Sequence, residues 1–205
     1  MTIRLIREDD SESLFTCYHD TSAVELMNDD NCDFGFYTDS QQKMSETIGY
    51  WLDFYKKQCF IRFSIVNNVT GEAVGTIEGF GGETGVLRVD IARDYEKAPY
   101  LSEIFVFSED NFHELYGNEY LVTKAVSKAE ERRQALLNLE WEYIDIFRGY
   151  QDYYQIKQKP NIEPGQKCKN RETFTCRGFS GVPGAIRTHG LSLRRRTNRF
   201  CCITS

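Results

Sequence analysis

Residues 86–117 read VLRVDIARDYEKAPYLSEIFVFSEDNFHELYG, and the run divides into a strand, a tight connection and a helix. Over residues 86–93, Leu87, Val89 and Ile91 share one face while Arg88, Asp90 and Ala92 share the other, the two-residue period of a pleated chain. Pro99 stands where a helix can begin, because a first-turn residue has no use for an N–H. Leu101, Ile104, Phe105, Phe107, Ser108, Phe112 and Leu115 then follow a helical stripe that stops at Gly117, a residue suited to the left-handed closing position. A connection from a strand end into a helix start gathers unpaired amides and the positive end of the helix dipole, which makes it a natural seat for a phosphate.

Upstream, residues 60–67 (FIRFSIVN) and 73–79 (AVGTIEG) are strands joined by an Asn- and Gly-containing hairpin turn, and residues 2–6 form an edge strand. Between them the acids and serines of residues 7–13 open a helical region with a break near residues 20–22. Asp39 or Ser40 caps a second helix, whose Met44, Ile48, Trp51, Leu52 and Tyr55 recur at three- and four-residue steps. Downstream, residues 120–126 read as a strand, 130–139 as a helix, and 142–147 and 153–157 as two last strands. The expectation is an α+β domain: a mixed, mostly antiparallel sheet of six or seven strands, about four helices, and one strand–helix–strand unit in the middle.

Charge separates this body from the C-terminal tail. Residues 1–158 carry 29 acidic against 15 basic side chains, whereas residues 159–205 carry 10 basic against two acidic ones, within a net charge of -6. An acidic body is a poor nucleic-acid binder, because phosphate contacts need Lys and Arg. The seven cysteines show neither a disulfide framework nor metal-ligand spacing, and no stretch reaches the ~20 apolar residues of a membrane helix. A reduced, cytoplasmic protein without a metal is expected. The tail, residues 159–205, holds three of the four prolines and the basic run Arg194 to Arg196, and its composition predicts disorder. Its segment GVPGAIRTHGLSLRRRT resembles peptides at the ends of reading frames that have run on through a transfer-RNA gene.

The element order, FIRFSIVNNVTGEAVGTIEGF as a central hairpin, and ARDYEKAPYLSEI followed by LVTKAV and ERRQALLNLEWEYI resemble the GNAT acetyltransferases, in particular the ribosomal-protein N-acetyltransferase-like branch. The resemblance implies the GNAT acyl-CoA N-acyltransferase fold over residues 1–158. It also implies acetyl-CoA as co-substrate, with its diphosphate on loop amides, and a primary amine as acceptor, on a small molecule or on a protein N-terminus or lysine. Pairing of two copies through their sheet edges is implied as well. Carried onto this chain, the cofactor-binding residues are Ile91, Ala92, Arg93, Lys97, Ala98, Tyr100, Leu101 and Ser102. The family motif R/Q-x-x-G-x-G/A is altered: Glu96 replaces the Arg or Gln, Pro99 the first Gly, and Leu101 the second Gly or Ala. Further on, Ala129, Arg132 and Glu140 stand where Asn, Ser and Gly are expected. Proline removes a donor, and Glu96 would set a negative charge beside a polyanion. A non-catalytic GNAT-fold binding or regulatory protein is therefore the alternative.

The implied reaction, attack of an amine on a thioester carbonyl, needs a base and a proton donor for the leaving thiolate. Glu78 and Asp90 are the candidate bases, as carboxylates on strands lining the cleft, with Glu83 a further one. The helix ERRQALLNLEW lacks the tyrosine that many family members use as the acid; Tyr143, Tyr150, Tyr153 and Tyr154 come later and read as core or rim. His19 reads as structural, and so does His113, on the solvent side of its helix.

Overall fold

The computed structural model describes residues 1–30, 35–57, 61–80, 85–116, 119–158 and 173–175. Along the chain these form β1 (Thr2–Leu5), α1 (Ser11–His19), α2 (Thr21–Val24), α3 (Gln41–Lys56), β2 (Ile61–Val66), β3 (Ala73–Phe80) and β4 (Gly85–Ile91). Next come α4 (Ala98–Tyr116), β5 (Tyr120–Lys124), α5 (Glu130–Asn138), β6 (Glu142–Ile144), β7 (Tyr153–Lys157) and β8 (Thr173–Thr175). Single 3-10 turns cover Glu8–Asp10 and Arg93–Tyr95. The expected order of strands and helices is present. The described strands make one sheet in the order β6-β7-β5-β4-β3-β2-β1-β8. Only β4 and β5 run parallel; every other neighbouring pair is antiparallel.

The differences from expectation lie at element ends. β4 stops at Ile91 because, after one more bond to β3 from the extended Ala92 (N–H to Val74 O), the chain enters a 3-10 turn at Arg93. Gly117, Cys32, Cys59 and Glu83 lie outside the described residues. In the tail, Thr173–Thr175 pairs with β1, so structure there is not wholly absent: β1 offers a free row of amides and carbonyls on its outer side, and a short segment can add to it.

Strand alternation sorts the sheet into two different faces. Phe63, Ile65, Ile77, Leu87, Val89 and Ile91 point into one core with Leu101, Ile104, Phe105 and Phe112 of α4 and Ala135 and Leu136 of α5. Fully burying a side chain such as Leu101 contributes about 1.5–3 kcal/mol. On the other face, Leu14 and Tyr18 of α1 pack with Met44 and Ile48 of α3. Beneath them, Arg62, Ser64, Thr76, Glu78, Arg88 and Asp90 are all buried although polar. α3 begins where Ser40 Oγ accepts the Lys43 N–H, and its Met44–Ile48 step is the inner stripe read from sequence.

Two glycines have a geometric reason. Gly71, at φ 77°, closes the β2–β3 turn by donating its N–H to Asn67 O at 2.8 Å. At Gly75 in β3 a Cβ would run into the Asp90 carbonyl oxygen and approach Ile91 Cα to 2.8 Å, so only glycine lets β4 lie this close.

Candidate active site

β4 and β5 pair only through Gly85–Leu121, Val86–Val122 and Leu87–Thr123; beyond this β4 continues beside β3 to Ile91 while β5 diverges. The alternation set by the Ala92 N–H to Val74 O bond turns the Val89 carbonyl toward this opening. The connection from β4 to α4 lies at its mouth, and the polar sheet face lies on one side.

That face holds a closed set of charges. Arg62 NH1 donates to Asp90 Oδ2 at 3.1 Å, Thr76 Oγ1 at 2.9 Å and Tyr18 OH at 3.1 Å, while its NH2 binds Glu78 Oε2. Its guanidinium lies 4.1 Å from the Trp51 ring centroid. Glu78 Oε2 also accepts from Arg88 NH1 at 3.3 Å, and Arg88 NH2 donates to Asp30 O at 2.8 Å. Asp30 in turn binds Lys124 Nζ at 2.7 Å and the Tyr153 hydroxyl at 3.0 Å. Three cations, Arg62, Arg88 and Lys124, thus offset three carboxylates, Glu78, Asp90 and Asp30. Buried charges persist only when paired in this way.

The titration behaviour follows from that packing. Burial lowers the pKa of Arg62, but Glu78, Tyr18 and Asp90 outweigh it and the net shift is upward. Burial, reinforced by Asp90, pushes the Tyr18 phenol well up, so it stays a donor; its hydrogen goes to Asp90 Oδ2 at 2.9 Å. Burial likewise raises Tyr153. Both candidate bases lie in ion pairs. Glu78 is held by two guanidinium groups. Asp90, fully buried, keeps one oxygen, Oδ1, with no hydrogen-bond partner among the described residues.

Most amides of the loop expected to hold a diphosphate already have partners. Ala92 N–H goes to Val74 O, Tyr95 N–H to Ala92 O, Glu96 N–H to Arg93 O, and Lys97 N–H to Tyr95 O. Leu101 N–H goes to Lys97 O, and Pro99 has none. Ala98 N–H, at the first position of α4, donates to Glu131 Oε2 at 2.8 Å. Glu96 does not project toward a phosphate: it is buried, and its carboxylate takes Arg132 Nε at 2.9 Å and NH2 at 2.6 Å. Arg132 NH1 completes the arrangement by donating to Val89 O at 2.9 Å, inside the strand opening. In this arrangement the Ala98 amide and the opening beside Val89 are closed to a diphosphate.

Of the other predicted ligand residues, Ile91 and Leu101 are core side chains, Ala92 and Ser102 are half-buried, and Arg93, Lys97 and Tyr100 are exposed. Leu101 therefore faces the core under the sheet and leaves the mouth clear. Sequence reasoning missed Arg132, Glu131 and Arg62 as residues that shape the site. Glu131 had no signal; Arg132 had one, as a charge where the family motif has a small hydroxyl.

Among the tyrosines, Tyr153 and Tyr154 are core, and Tyr154 OH accepts from Arg133 Nε at 3.1 Å, while Tyr143 is exposed at the rim. His113 is buried, contrary to the expected solvent position, because it follows Phe112 on the inner side of α4. His19 stacks on Phe15 and its Nδ1 lies 2.9 Å from Thr38 O, a structural role.

No family model matches the chain, and no curated protein matches it in sequence. Solved structures do. The ribosomal-protein-S5-alanine acetyltransferase of Vibrio fischeri superposes with a TM-score of 0.56 at 13% identity, over 77% of this chain and 94% of that one. This chain has the GNAT fold. The spermidine N-acetyltransferase of Vibrio cholerae, in complex with CoA and spermine, shares the GNAT fold with a TM-score of 0.57 at 10% identity, over 76% of this chain and 94% of that one. Mycobacterium smegmatis RimJ, in complex with CoA-disulfide, reaches a TM-score of 0.61 at 10% identity, over 76% and 80%. Among the described residues of this GNAT-fold chain, no helix is long and apolar enough to cross a membrane.

Proposed function

We propose that this chain is an N-acetyltransferase that moves an acetyl group from acetyl-CoA to a primary amine, on a small molecule or on a protein N-terminus or lysine. The observation that carries the reading is the parting of β4 from β5 beside the start of α4. Structures of the same fold include one in complex with CoA and spermine. Asp90 is the better candidate base of the two carboxylates, because its Oδ1 is unpartnered and could take an amine proton, whereas Glu78 lies between two guanidinium groups. Arg93, Lys97 and Tyr100, exposed at the β4–α4 connection, would contact the carrier. Residues 1–158 would form the acetyltransferase domain, with residues 159–205 outside it. A cytoplasmic location, in which the buried thiol of Cys17 stays reduced, and pairing of two copies belong to the same reading.

A specific observation favours a second reading, a non-catalytic binding or regulatory protein. Most amides of the diphosphate loop already have partners, Ala98 on Glu131 of α5, and α5 has no tyrosine. Incubation with acetyl-CoA and a panel of spermidine, lysine peptides and peptides with free Ser or Ala N-termini separates the two. Thiol release that depends on one of these amines is expected. No thiol release together with no melting-temperature shift at millimolar acetyl-CoA would leave the second reading.

A further inference from the structure

The loop and the expected carrier disagree, and the disagreement has a definite form. A diphosphate on this fold would need the first amides of α4 and the space beside Val89. Side chains from the first turn of α5 take the Ala98 amide and that space: Glu131 accepts the Ala98 N–H, and Arg132 bridges Glu96 and Val89 O. Two neighbouring residues of one helix thus supply an anion to the positive end of α4 and a cation to the strand opening. The two contacts differ in permanence. Glu131 is exposed, so its bond competes with water and can be exchanged for another anion, whereas the Arg132–Glu96 pair is buried and rigid.

We infer that Glu131 stands in for the diphosphate, and that its carboxylate, on a turn anchored by the Arg132–Glu96 pair, keeps the Ala98 amide at the α4 N-terminus closed to an anionic carrier until that carboxylate is displaced. This rests on the acyl-CoA reading and adds a regulation to it: a carrier must displace the chain's own carboxylate. The seat is anion-accepting in principle, and its resting occupant is internal.

The full chain carrying Glu131→Ala or Glu131→Lys is titrated calorimetrically with CoA and, separately, with inorganic pyrophosphate. Because Glu131 is exposed, both variants are expected to unfold cooperatively like the wild type. Glu131→Ala should bind each probe about fivefold more tightly than the wild type, the worth of one helix-terminal carboxylate, and Glu131→Lys more tightly still. Affinities for both probes that do not change across the three proteins would overturn the inference, and CoA binding by all three would leave the acyl-CoA reading intact. A gain for pyrophosphate with no CoA binding by any of them would support the closed seat and remove acyl-CoA as the carrier.

Discussion

Arg132 and Glu96, 36 residues apart, form a buried two-point ion pair, Nε to Oε1 at 2.9 Å and NH2 to Oε2 at 2.6 Å. Each departs from the GNAT motif when read alone. Together they cancel: the carboxylate that reads from sequence as set against a phosphate is neutralised by a guanidinium standing where a small hydroxyl is usual.

Arg132→Met leaves Glu96 charged and unpaired in the interior and the Val89 carbonyl without its donor. The expected loss is about 3–5 kcal/mol of unfolding free energy, on the order of 10 °C in melting temperature. Combining it with Glu96→Gln should recover most of that loss. A denaturation double-mutant cycle in which the two losses simply add would show that the pair is not coupled.

Asp90→Asn keeps the size of the side chain and its contact with Tyr18 but cannot accept a proton. If Asp90 is the base of the proposed reaction, acetyl transfer should fall roughly 100-fold or more, in kcat rather than KM. An unchanged kcat would exclude the role. Glu78→Gln should act mainly on stability, because Arg62 and Arg88 lose their shared acceptor.

Asp10 is a pH-dependent element outside the site. Burial raises its pKa, but hydrogen bonds from Arg4 and Ser64, the Arg4 charge and the Arg7 amide outweigh it, so the folded value lies below the usual carboxylate range. A folded pKa below the unfolded one means stability that is fully present above the unfolded pKa, near ~3.9, and is lost as pH falls through the folded value. Asp10→Asn should therefore be less stable than the wild type at pH 7, with the gap closing below about pH 4. Melting curves of both proteins across that range test the sign.

Gly75→Ala should destabilise the sheet by about 1–3 kcal/mol or more, because the added methyl meets β4 backbone, which cannot rotate away as a side chain can. Gly49→Ala on α3, where a Cβ meets nothing within 4 Å, is the control and should be neutral or slightly stabilising. Equal melting temperatures for the two variants would contradict the close approach.

The element order was legible because period and punctuation are local: Leu87, Val89 and Ile91 alternate, Met44 and Ile48 step by four, and Ser40 precedes a helical run. The ends were less so, since β4 gives way to a 3-10 turn at Arg93, one extended residue after its last pairing with β3. His113 was misjudged because a wide apolar helix face cannot be bounded from its spacing alone.

The sequence by itself determined which elements form and that a polar face and an altered phosphate loop exist, since both depend on neighbours within one turn or one pleat. Tertiary structure alone decided what the altered residues do. Whether Glu96 repels a ligand or is neutralised, whether Ala98 offers its amide or spends it on Glu131, and whether Asp90 is free or tied to Arg62 depend on which charges folding brings into hydrogen-bond reach from distant parts of the chain. Burial decides the rest, because inside a low-dielectric interior a charge without such a partner could not remain.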